Sequence, residues 1–228
     1  MPRIDFQVGR EKLVGELVGS TPQLLVLHGA GQANRERAKP LIESITKETG
    51  RGAFLFDFSG HGESSGTLNS SSLQKRTAEA DEAWKFLTAG VPITVIGFSM
   101  GGHVALELLA SRTIDNLILF YPGLYTNEAF NVPFDERFSE VIRKPDSWRS
   151  ALALNYLRDF KGNLLVVWGE NDAVVPRGVV DLLYESASSA RSREVFVVAN
   201  GEHLLLPQLY SDSKLQDQIV AKVKNILV

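Results

Sequence analysis

Two hydrophobic periodicities alternate along this chain. It opens with Ile4-Asp5-Phe6-Gln7-Val8, where apolar and polar positions alternate as in a half-buried strand. Gly9-Arg10-Glu11-Lys12 reads as a hairpin turn, and residues 13–18 as a second strand that Gly19-Ser20-Thr21-Pro22 breaks. The later strands are apolar runs at 23–27, 53–56, 93–96, 117–120, 164–168 and 195–198; the run at 23–27 has the pattern of a strand covered on both faces, and 53–56 reads as another buried strand. Helical repeats separate them. Residues 35–49 place Ala38, Leu41 and Ile45 on one face, with Asn34 as the expected cap and Gly50 as the stop. Residues 72–89 carry an expected inward stripe of Leu73, Thr77, Ala80, Trp84 and Leu87. Further helices are expected over 103–110 and 176–187, and a closing one carries Leu215, Ile219, Val223 and Ile226.

Strands alternating with helices imply an α/β architecture, with a mostly parallel central sheet flanked by helices on both faces. The rhythm changes between Leu124 and Phe160. Pro133 is positioned to start a short helix with Phe134, Phe138, Val141 and Ile142 on one side. Pro145 ends it, and Asp146 is placed to cap a second helix over 148–160. The expected organisation is therefore a core made of residues 1–123 and 161–228, with a small helical cap, 124–160, inserted into it.

Composition narrows the function. A chain of 228 residues can bury one sizeable core. Its net charge of −3 advertises no surface for nucleic acid or anionic membrane. The absence of cysteine removes disulfides, thiolate nucleophiles and cysteine metal sites, and fits a cytoplasmic protein. The segment beginning Met1-Pro2-Arg3-Ile4-Asp5 lacks the apolar core of a signal peptide, and no run of about 18 apolar residues is long enough to insert in a membrane. No histidine or carboxylate cluster with metal-ligand spacing and no phosphate-binding glycine loop is visible, so no metal and no cofactor is expected.

One motif joins a strand to a helix. In Val95-Ile96-Gly97-Phe98-Ser99-Met100-Gly101-Gly102 a serine sits at the centre of G-x-S-x-G, with an apolar run before it and a helical pattern after it. Such a turn lifts the serine hydroxyl above a sheet, and its glycines leave room where the backbone crowds itself. The following helix turns its N–H groups toward the site, favouring developing negative charge. His28-Gly29, Asp57, Ser99, Asp172 and His203 each follow an expected strand, so they are expected at one edge of the sheet, where such folds place their chemistry.

The chain resembles the α/β-hydrolase superfamily over nearly its whole length. The matching segments are His28-Gly29-Ala30-Gly31, Gly60-His61-Gly62-Glu63-Ser64, Gly97-Phe98-Ser99-Met100-Gly101-Gly102, Gly169-Glu170-Asn171-Asp172 and Gly201-Glu202-His203. Within that superfamily, residues 28–35 and 57–64 are similar to bacterial carboxylesterases of the cinnamoyl or feruloyl type and to monoacylglycerol-lipase relatives. The expected short cap departs from them.

The residues themselves assign roles. A serine hydroxyl needs a base to take its proton. Of the four histidines, His28 opens a turn, His61 lies between glycines in a loop, and His103 points away from the elbow on the same helix as Ser99. His203, after the last strand, is the expected base. Asp172 is the expected acid, as the resemblance favours, with Glu170 as its rival. The order Ser…Asp…His is the one α/β-hydrolases use. The N–H groups of Met100 and Ala30 are the expected oxyanion donors, with Gly31 as fallback. Leu124, Tyr125, Phe130, Phe134, Phe138 and Trp148 are candidates for an apolar substrate wall.

These residues point to a serine hydrolase that cleaves a small-molecule carboxylic ester through an acyl-enzyme. Thioesterase, amidase, peptidase or perhydrolase chemistry with the same triad, or a non-catalytic ligand-binding role, are the alternatives. Oligomeric state is left open.

Overall fold

A computed structural model describes residues 2–227; Met1 and Val228, the outer ends of the expected core, lie outside the described residues. Eight strands form one sheet in the order β1-β2-β4-β3-β5-β6-β7-β8. The first two, β1 (Arg3–Val8) and β2 (Glu11–Val18), pair antiparallel across a turn in which Gly9 takes a φ of 58°. Strand β2 then pairs antiparallel with β4 (Gly52–Asp57). From β4 the sheet is parallel through β3 (Pro22–Leu27), β5 (Thr94–Phe98), β6 (Asn116–Phe120), β7 (Asn163–Gly169) and β8 (Ser192–Val198).

The continuous apolar runs explain why this sheet is covered on both faces up to β7; the edge strand β8 is largely uncovered, with Val197 40% exposed. Successive side chains of a strand point to opposite faces. Leu25, Leu27, Val95, Leu117, Leu119, Leu164 and Val166 enter one buried cluster. Their neighbours Leu24, Val26, Ile96, Ile118, Phe120, Leu165 and Val167 enter another. The first face is covered by α2 (Leu73–Ala83), α3 (Met100–Leu108), α5 (Ala153–Asp159) and α6 (Arg177–Ser186). On the second lie α1 (Arg35–Thr49), α7 (Leu205–Ser211) and α8 (Ser213–Ile226).

Local chemistry sets the helix ends. The Asn34 side chain accepts from Arg37 N–H at the start of α1, and Gly50 closes it in the left-handed conformation. Helix α2 stops at Ala83 and tightens into a 3-10 turn, Trp84–Phe86, short of the expected residue 89. Its inward side also differs from the expected stripe. Arg76 and Glu79 are fully buried beside Leu73 and Ala80, while Thr77, Trp84 and Leu87 are only half-buried.

Between β6 and β7, α4 (Glu136–Ile142) begins with the Asp135 carboxylate accepting from Arg137 N–H, rather than at Pro133. Asp146 does not cap a helix over 148–160. It is left-handed, at φ 54°, whereas a capping residue is normally extended, and only a 3-10 turn, Ser147–Ser150, follows. Helix α5 begins afterwards, and its Ala153, Leu154 and Leu157 belong to the larger buried cluster of the sheet.

The sheet order creates the site. From β3 the chain moves to β4 on one side, and then crosses back to β5 on the other. Loops that leave β3 and β5 thus diverge at their C-terminal ends and open a crevice between them.

Candidate active site

Ser99 stands where β5 gives way to α3. Its φ of 49° and ψ of −117° form a strained backbone for a residue with a side chain. Neighbouring glycines allow the chain to turn there. A Cβ on Gly97 would lie 2.6 Å from Gly101 O, and one on Gly101 would lie 2.1 Å from Leu27 O. The turn is tied down by Ser99 N–H donating to Phe120 O at 2.9 Å and by Gly102 and Gly123 N–H donating to Ser99 O.

Three side chains from three strand ends meet here. Ser99 Oγ lies 3.1 Å from His203 Nε2. His203 Nδ1 lies 2.9 Å from Asp172 Oδ2. The Asp172 carboxylate is buried, and its Oδ1 accepts from Val174 and Val175 N–H, both at 2.8 Å. Burial pushes this carboxyl up, but the bonds from His203 and from the two backbone groups outweigh it and hold the group below the usual aspartate range. Glu170 turns elsewhere and accepts from Asn200 N–H at 3.0 Å. Tyr121, itself at φ 40°, sets its ring edge-on to His203 at 5.1 Å.

The remaining histidines are buried in other contacts. Phe58 N–H donates to His28 Nε2 at 3.0 Å, which leaves Nδ1–H to donate to Gly29 O at 2.8 Å. His61, read as a loop residue between glycines, is only 5% exposed; burial, with Arg76 nearby, lowers it to about 4. His103 Nδ1 accepts from Tyr125 N–H, with Nε2 3.4 Å from Glu107. Asp57 does not join the serine. It accepts from Arg35 N–H and pairs with the Arg35 guanidinium.

A cavity of about 840 Å³ opens above Ser99 and His203. Ala30, Gly31 and Met100 line it, and Gly29 packs so tightly that an added Cβ would sit 3.2 Å from Ser99 Cβ. Of the six wall candidates, Tyr125, Phe134 and Phe138 line it too. The other three lie elsewhere. Leu124 enters the sheet's cluster, Phe130 packs beside Leu73 and Met100, and Trp148 covers Gly178 on α6. Each satisfies its apolar surface in a contact that periodicity alone does not distinguish from a pocket wall.

Leu206, Pro207 and Tyr210 on α7 also line the cavity, as do the exposed Leu204 and Val174. Sequence periodicity missed them, because Leu204-Leu205-Leu206-Pro207 is too short a run and contains a proline.

A family profile described as "Serine aminopeptidase, S33" matches residues 20–146. The chain belongs to this serine aminopeptidase family. Beyond the family match, it is 25% identical over 202 residues to carboxymethylenebutenolidase 2 of Cupriavidus pinatubonensis, covering 83% of this chain and 76% of that one. A Pyrococcus furiosus esterase has the same fold at TM-score 0.74 and 24% identity, over 100% of this chain and 93% of that one. So does a Paleococcus ferrophilus monoacylglycerol lipase, at TM-score 0.70 and 18% identity, over 93% and 98%. The fold is that of the α/β-hydrolases, as its motifs implied, and the family makes the protein a hydrolase. No helix among the described residues is long and apolar enough to cross a membrane.

Proposed function

We propose that this protein is a serine carboxylesterase acting through an acyl-enzyme, with Ser99 as nucleophile, His203 as base and Asp172 as the acid that orients it. The observation that carries this reading is the continuous hydrogen-bonded relay from Ser99 Oγ through His203 to buried Asp172, opening on a cavity. His203 takes the Ser99 proton as Oγ attacks the ester carbonyl. Asp172 holds the imidazole tautomer and stabilises the imidazolium without accepting the proton. Met100 and Ala30 N–H then hold the oxyanion. His203 returns the proton to the departing alcohol, and water, activated by the same ring, releases the acid.

We read residues 124–160 as a short insertion whose earlier part caps the site, with Tyr125, Phe134 and Phe138 contributing to the wall, while its later part, α5, packs on the sheet. A cavity of this size with an aromatic wall suits short or medium acyl chains and compact aromatic acyl groups. The test is a panel of 4-nitrophenyl esters of graded chain length, with methyl ferulate, a monoacylglycerol, a thioester and an anilide beside it. The expected result is highest kcat/KM on short, medium or aromatic esters, and labelling of Ser99 by a fluorophosphonate. An optimum on long acyl chains, or on the thioester or anilide, would overturn the substrate assignment.

A further inference from the structure

A buried arginine lies behind the Gly29-Ala30 peptide. Arg76, from α2, is completely inaccessible. Burying a cation is costly unless charge or hydrogen bonds compensate. Its direct partners here are neutral. Nη1 donates to Gly29 O at 3.1 Å, and Nη2 donates to His61 Nε2 at 3.0 Å. The guanidinium lies over the rings of Phe58 and Phe134, 4.8 Å and 5.0 Å from their centroids. Its Nε has no hydrogen-bond partner. The nearby carboxylate, Glu79, is used otherwise: it accepts from Ser59 N–H at 3.0 Å, and burial pushes it toward its neutral form.

What this cation holds is informative. Gly29 O accepts from Arg76 Nη1 and from His28 Nδ1–H, so both donors converge on one carbonyl. That carbonyl and the Ala30 N–H belong to the same peptide unit. The bond is trans, so the two dipole ends point in opposite directions across one rigid plane. Anchoring the oxygen on the buried side therefore turns the Ala30 N–H away from the guanidinium. Ala30 lines the same cavity as Ser99. A donor on the carbonyl also polarises the amide and makes its N–H a better donor in turn.

We propose that Arg76 is a positioning residue for the hydrolysis: together with His28 it clamps the Gly29 carbonyl, so that the Ala30 N–H is aimed and strengthened as an oxyanion donor. The proposal rests on the reading of Ser99 and Ala30 given above. A cation suits this task better than a neutral donor, because a charge-assisted hydrogen bond is roughly twice as strong. The face of Phe134 shields it from the cavity, and so preserves that strength.

The test compares wild type with R76M, R76Q and R76K, and with S99A as control, on 4-nitrophenyl butyrate. Near-UV circular dichroism establishes which variants fold. R76M should lose about 10- to 100-fold in kcat, less than deletion of a whole oxyanion donor costs, with KM within twofold. The affinity for benzeneboronic acid, whose tetrahedral adduct on serine mimics the intermediate, should fall in step with kcat. R76K, which keeps the charge, should recover part of the loss. If R76M does not fold, R76Q carries the same comparison, with a smaller expected loss because one donor to Gly29 O is kept. A folded variant lacking the charge that keeps wild-type kcat and boronate affinity would overturn the proposal, as would a loss confined to KM or an R76K no better than R76M. Failure of the underlying reading is separately visible. In that case S99A would retain turnover, whatever Arg76 does.

Discussion

His103 and Glu107, one turn apart on α3, face each other in the interior with His103 Nε2 3.4 Å from Glu107 Oε1. Burial drives them in opposite directions: His103 falls from 6.5 to about 3, and Glu107 rises from 4.5 to about 7. The native protein therefore prefers both groups neutral at acid to neutral pH.

Linkage gives this pair a signature. Glu107 binds its proton more tightly when folded, so its contribution is present below 4.5 and is lost as pH rises through about 7. His103 is the reverse: the unfolded chain protonates first, so stability is lost as pH falls from 6.5 toward 3. E107Q removes only the first effect. It should raise stability at pH 8 by about 3 kcal/mol and change it little at pH 4. Urea unfolding of both proteins at the two pH values checks this; a gain of equal size at both would contradict it.

Ser99 combines a strained backbone with the nucleophilic role proposed above. S99A should lose on the order of 10⁶ in kcat while keeping its fold, since nucleophile and base act as one unit. S99G should be equally inactive and more stable by about 1 kcal/mol, because glycine tolerates a φ of 49° that a side chain resists. Thermal unfolding and ester turnover measured on both variants separate the two effects. Turnover above a few per cent of wild type would rule Ser99 out as nucleophile.

Asp172 keeps its charge to lower pH than an ordinary aspartate, despite burial. Its contribution to stability should hold at neutral pH and fade only as pH drops through that depressed value. D172N can still accept from Val174 and Val175 but favours the wrong tautomer of His203. It should lose about 10⁴ in kcat with a much smaller change in KM. A kcat within tenfold of wild type would transfer the orienting role to another group.

Phe134 and Phe138 meet edge-on at 4.8 Å, and both line the cavity. F138A should destabilise the protein by about 3 kcal/mol, since that ring is 5% exposed. Both F134A and F138A should shift kcat/KM toward bulkier acyl groups. An unchanged ranking across the ester panel would make these rings supports of the cap rather than walls of the pocket.

Much of this architecture was legible in one dimension because its causes are local. Asn34 and Gly50 bracket α1 at the expected residues, since capping needs only a side-chain oxygen at one end and a left-handed residue at the other. Unbroken apolar runs announced a sheet covered on both faces. Gly97 and Gly101 announced the crowded turn around Ser99, and Asp172 and His203 were placed after strands whose ends the fold brings together. The positions that misled are those whose surroundings come from distant segments. Arg76 and Glu79 look like the solvent side of an amphipathic helix, yet partners on the loops at Gly29 and Ser59 make their burial possible. His61 sits in a polar run but is enclosed by Arg76. Leu124, Phe130 and Trp148 are apolar like Phe134 and Phe138, and only packing decides which side chains face the cavity. Side-chain type and spacing determine the elements and the order of the reactive groups. Whether a polar group is buried, and which apolar face stays uncovered, depends on contacts between residues far apart in the chain, and these exist only once the sheet has closed over its helices.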